Sequence, residues 1–156
     1  MIHMTGLQIF TLFHVALSLI GIATGFLVLL GFLGSSLNRT LNLVFLTTTA
    51  LTSITGFFFP FHGVTPGIVV GAISLVLFIP AILAYQKGWM KTYIATASIL
   101  QFFNVLVLIV QSFQKIPPLH QFAPTGKEPI VAILQLTVLL LIAALAVISI
   151  RRQRLA

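Results

Sequence analysis

The chain has 156 residues, 59% of them hydrophobic and only 6% charged, with eight Lys or Arg against one acidic residue and a formal net charge of +7. A water-facing surface needs about a quarter of its residues charged, so these proportions exclude a soluble domain. The absence of cysteine removes disulfides, thiolate metal sites and cysteine nucleophiles, and a single carboxylate side chain leaves no paired acids, no catalytic triad and no oxygen cage for calcium or magnesium, so hydrolytic and ATP-driven enzymes are excluded.

Long apolar runs belong in lipid, where the backbone must satisfy its own hydrogen bonds. Because the runs are continuous rather than alternating, helices are expected rather than a barrel. The expected fold is all-α, a polytopic transmembrane helical bundle of about five spans with short loops, forming one integral membrane domain over residues 1–156.

The first span, residues 5–34, exceeds the roughly 20 residues that cross a bilayer, which implies tilt or a protruding end. It lacks a positive leader and a small-residue cleavage site and therefore reads as a retained helix. Thr11, His14, Ser18, Gly21 and Gly25 recur at spacings of 3, 4, 3 and 4, which places them on one stripe. Gly21 and Gly25 form a G-x-x-x-G that permits close helix approach. The second span, residues 41–61, carries Thr48, Thr52 and Thr55 on one face. The third, residues 66–85, carries Gly67, Gly71 and Ser74, with Pro80 as a hinge candidate. The fourth, residues 90–114, carries Gln101, Asn104 and Gln111.

Between the fourth and fifth spans lies a loop with four prolines, Pro117, Pro118, Pro124 and Pro129, which restrict it to few conformations and suit a fixed lid. Glu128 stands just before Pro129, where a carboxylate suits a helix start. The last span, residues 129–150, contributes Gln135 and ends in Arg-Arg-Gln-Arg, a basic anchor for anionic membrane lipid. Five spans put the termini on opposite sides. Arg39, Lys87, Lys91, Arg151, Arg152 and Arg154 share one side, Lys115 and Lys127 the other, so the positive-inside rule predicts an outside N-terminus and a cytoplasmic C-terminus. Basic residues at helix ends serve topology and do not form a nucleic-acid face.

Polar stripes in lipid turn inward, because an unpaired amide in hydrocarbon is costly. Counted from the predicted outer ends at about 1.5 Å per residue, His14, Thr52, Ser74, Asn104 and Gln135 fall roughly 10 to 15 Å deep. The reading is an outward-facing polar pocket in which His14, the only ionisable member, together with Ser18, Thr52, Asn104, Gln111 and Gln135 binds a small ligand or cation, either holding it or moving it across. The competing reading is structural, with His14 bonded to a neighbouring helix and holding the bundle in register.

All four histidines, His3, His14, His62 and His120, map to the outer side and form a candidate metal set. The Met-Ile-His start would offer an amine, two amides and an imidazole to copper or nickel. Haem would require two facing imidazoles, so a haem- or quinone-associated redox protein is a second reading. A third is an accessory subunit of a larger membrane complex, or a homo-oligomer, gripped through the polar stripes.

Two stretches, Thr-Ser-Ile-Thr-Gly-Phe-Phe-Phe-Pro-Phe from Thr52 and Phe-Gln-Lys-Ile-Pro-Pro through Ala-Pro-Thr-Gly-Lys-Glu-Pro from Phe113, resemble a small uncharacterised family of bacterial five-helix inner-membrane proteins. The resemblance spans nearly the whole chain, including the first-helix histidine. It implies a bacterial inner membrane and a five-helix layout, and carries no activity with it.

Overall fold

Three of the long helices begin where the sequence supplies a side-chain acceptor for their orphan amides. Thr5 Oγ1 accepts from the Gln8 amide at 3.3 Å while Gln8 Oε1 accepts from the Thr5 amide at 2.8 Å, a reciprocal capping box that starts α1 (Gly6–Leu33). Asn38 Oδ1 accepts from the Leu41 amide at the start of α2 (Arg39–Gly56), and Thr65 Oγ1 from the Ile68 amide at the start of α3 (Pro66–Gln86), where Pro66 fills the first turn. The chain continues through α4 (Met90–Lys115), the one-turn α5 (Pro117–His120) and α6 (Pro129–Arg152). The computed structural model describes residues 5–60 and 63–153, and among them there is no strand.

Two of the connections are closed by the same device. The Ser36 amide reaches back to the Gly31 carbonyl and the Ser35 amide to that of Phe32, with Ser35 at φ 52°. The Trp89 and Gly88 amides do the same to Ala84 and Tyr85, with Gly88 at φ 68°. Both are left-handed helix endings that satisfy the last carbonyls. α2 ends at Gly56, short of the expected residue 61, because the Phe57 and Phe58 amides fold back onto Ile54 and Thr55 and Pro60 cannot extend a helix. The other helices stop within two residues of expectation, and α3 runs unbroken through Pro80.

Four of these helices, α1, α3, α4 and α6, are long and apolar enough to cross a membrane, which makes this a multi-pass helical membrane protein. α2 is not among them. It has 18 residues and carries Arg39, Asn42, Ser53 and a run of threonines, and these lower its apolar content below that of its neighbours.

Contacts between named residues fix the directions of the helices. Gly25 lies beside Phe45 and Gly21 beside Thr48, whereas His14 meets Thr55, so α2 runs antiparallel to α1. Tyr93 meets Asn42 and Asn104 meets Thr49, so α4 runs parallel to α2. α6 returns antiparallel to α4, and its Arg152 guanidinium donates to the Leu33 carbonyl at 2.5 Å, a cation on the negative end of α1. α4 is the hub, packing on α1, α3 and α6.

The main core occupies the half of the bundle near this Arg152 contact, where Leu29, Phe32, Phe45, Tyr93, Ile94 and Leu100 are fully buried. A small satellite core at the opposite end joins Phe113, Ala123 and Val131, with Leu119 of α5 against it. The proline loop is thereby folded down onto the bundle. α6 keeps Leu136, Leu140 and Leu141 exposed, the face a lipid-contacting helix must present.

Candidate functional site

The seam between α1 and α2 contains the imidazole of His14. Its Nδ1 lies 2.8 Å from Thr55 Oγ1. Thr55 Oγ1 also lies 2.7 Å from the Leu51 carbonyl one turn back, and a hydroxyl has one proton to give. With that proton given to Leu51, Nδ1–H is the donor to Thr55, and in that tautomer the neutral ring has its lone pair on Nε2. Nε2 has no hydrogen-bond partner among the described residues, and the residue is half-buried.

Aromatic rings hold the imidazole in place. Phe59 meets it edge-on, with centroids 5.0 Å apart and planes at 88°, and Phe10 tilts against Phe59 at 4.9 Å. Gly56 leaves room beside Cε1, since a Cβ there would stand 3.8 Å away in ordinary contact. Phe10 and His14 are one turn apart on α1, and Thr55 and Phe59 are four residues apart on the partner segment, so the cradle is made by two facing i, i+4 pairs.

Of the other residues expected beside His14, Ser18 bonds its hydroxyl to the His14 carbonyl in its own helix. Thr52 keeps a buried Oγ1 with no partner among the described residues, one turn from Thr55. Asn104 Nδ2 donates to Thr49 Oγ1 at 2.9 Å. Thr49 and Thr55 are six residues apart, about 9 Å along the helix, so Asn104 and His14 are tied to α2 at different levels. Gln111 is exposed and lines a separate groove of about 270 Å³ with Thr65, Gly67, Val107 and Gln114. Gln135 is half-buried on α6 without a side-chain hydrogen bond among the described residues.

Gln101 lies deeper than the seam. It is fully buried, and its Nε2 donates to the Ile22 carbonyl at 2.9 Å. A Cβ on Gly25 would fall 2.0 Å from Gln101 Oε1, and one on Gly21 3.1 and 3.2 Å from the Thr48 and Thr49 hydroxyls. The G-x-x-x-G thus receives an amide and two hydroxyls rather than a second copy of itself. Thr49, Phe59 and the Tyr93–Asn42 hydrogen bond are the contacts that spacing along single helices did not single out.

Among the described residues no group of three His, Cys, Asp or Glu is close enough to share a metal ion. His120 sits on the folded-down loop with Nδ1 donating to the Phe113 carbonyl at 3.2 Å. His3 and His62 lie outside the described residues. Glu128 occupies the start of α6 but does not cap it. Its Oε1 accepts from the Thr125 amide and hydroxyl, both at 2.9 Å, and these bonds, the amide first, hold its carboxyl below the usual carboxylate range.

No protein-family model, curated protein or solved structure matches this chain.

Proposed function

We propose that the protein is a five-span inner-membrane protein that binds a small ligand at His14 from the outer face, through the bare Nε2 lone pair. The observation that supports this most directly is the pairing at Thr55, which spends the ring's proton on the protein and leaves an acceptor for the ligand. Such an atom suits a hydroxyl donor or a borderline cation and disfavours an anion. Thr52, with its unpartnered hydroxyl, is the second contact, and Ser18 and Phe59 shape the walls.

α2 serves in this reading as the fifth span, its polar face turned onto α1 and α4 rather than toward lipid. Arg39, Lys87, Lys91, Arg151 and Arg152 at one end against Lys115 and Lys127 at the other support a cytoplasmic C-terminus. The bacterial membrane rests on the sequence resemblance.

A redox variant of the reading is favoured by the same atom, because Nε2 is the nitrogen that would ligate haem iron or accept from a quinol hydroxyl. The absorption spectrum and metal content of purified protein, wild type beside His14→Ala and His14→Gln, test both. Ligand binding lost in His14→Ala with folding kept in both variants is expected. If both variants bind copper, haem and a quinol analogue as wild type does, His14 is a structural residue and the proposal fails.

A further inference from the structure

At the end of the bundle where α3 turns into α4, the positive side chains have no acidic side-chain partner among the described residues. Lys87, Lys91, Arg151 and Arg152 gather there with Arg39 at the start of α2, while Glu128, the only acidic side chain in the sequence, stands at the opposite end. A cleft of about 380 Å³ opens among them, lined by Gly88, Trp89, Met90, Lys91, Thr92 and Gln153. Trp89 is 56% exposed, and the Lys87 ammonium lies 5.3 Å above its ring. No side chain caps the first turn of α4.

We infer that this cleft binds the headgroup of an anionic phospholipid. Lys91 and the uncapped amides of α4 face the phosphate, Trp89 lies at the glycerol level where amphipathic rings favour the interface, and Arg151 and Arg152 add flanking charge. Two features favour a lipid over a soluble anion. The helices flanking the cleft carry exposed apolar side chains toward mid-membrane, Leu83 on α3 and Ile148 on α6, surfaces that suit acyl chains rather than a hydrated anion. The charge also lies where a leaflet rich in anionic lipid supplies the counter-charge.

Trp89 is the only tryptophan in the chain, so its fluorescence reports on this cleft alone. In phosphatidylcholine vesicles doped with acyl-brominated lipid, brominated phosphatidylglycerol should quench Trp89 at several-fold lower mole fraction than brominated phosphatidylcholine. Lys91→Gln should reduce that preference about fivefold, the effect of one basic residue near such a surface, while Lys127→Gln at the far end leaves it unchanged. Unaltered emission maximum and melting temperature in both variants show that folding is intact. Equal quenching by the two lipids in wild type, or an unchanged preference in Lys91→Gln, overturns the inference. Loss of the preference on adding inorganic phosphate at constant ionic strength overturns it in favour of a soluble anion.

Discussion

The two halves of the bundle are built on different terms. Near the Arg152 contact the helices close on fully buried side chains, and even the polar ones, Asn42 at 1% and Gln101 at 0% exposure, are sealed. Near His14 the ring, Ser18, Thr52 and Asn104 are half-buried against buried Thr55 and Thr49, the hydrogen bonds lie at separate levels, and the Thr52 hydroxyl has no partner among the described residues. A membrane bundle gains little from apolar contact between helices, since lipid is equally apolar. Tight packing therefore specifies the closed half, where Gln101 Oε1 and the Ser98 hydroxyl are themselves buried without a hydrogen-bond partner among the described residues, and the looser half is free to accept something else.

The two glycines of α1 give the largest expected contrast. Gly25 sits in the closed half, where an added Cβ would meet Gln101 Oε1 at 2.0 Å and Phe45 Cε2 at 2.8 Å, both on buried side chains with nowhere to move. Gly21 sits at the transition, with only hydroxyls at 3.1 and 3.2 Å. Gly25→Ala should cost about 2 to 3 kcal/mol and Gly21→Ala less than about 1 kcal/mol, read as loss of melting temperature in one detergent. Equal losses would mean that the closed half yields as readily as the open one.

Removing one hydrogen bond from each half sharpens the contrast further. Tyr93→Phe strands the Asn42 carbonyl oxygen in a sealed site and should cost about 1 to 2 kcal/mol. Thr55→Val cuts the His14 contact, but that ring is half-buried and can turn to another partner, so about 0.5 kcal/mol is expected. Chemical unfolding of both variants in the same detergent gives the order. A larger loss from Thr55→Val would make the His14 seam a structural joint and weaken the case for a ligand there.

What the sequence makes legible follows from what spacing can express. The stripe through His14, Ser18, Gly21 and Gly25 is a property of one helix, and it does face α2 and α4. Equal depth is also computable, but depth alone does not bring groups together. His14 and Asn104 both find threonines on α2, yet at Thr55 and Thr49, so one pocket was expected where the molecule has two separate contacts. Tyr93 and Asn42 stand near helix ends, where polar residues are ordinary, and only the parallel pairing of α2 with α4 makes them partners. Likewise α2 reads as a span by continuity, although its threonines make it the most polar of the long helices.

The smallest predicted effect concerns the loop between α4 and α6. Glu128 takes two hydrogen bonds from Thr125, whose hydroxyl in turn accepts from the Lys127 amide at 3.2 Å, so the ionised carboxylate organises residues 125–128 rather than capping α6. A carboxyl held below its ordinary range contributes order that is fully present above the unfolded value and is lost as pH falls through the lower, folded one. The Thr125 amide resonance should therefore titrate with a midpoint below that of an ordinary glutamate, and Glu128→Gln should abolish the titration. Because these bonds organise only residues 125–128, the melting temperature of the bundle should be the same in wild type and Glu128→Gln at neutral pH. A Thr125 amide that titrates at the ordinary value would show that the loop is held by Leu119 and Ala123 against the satellite core, with the carboxylate along for the ride.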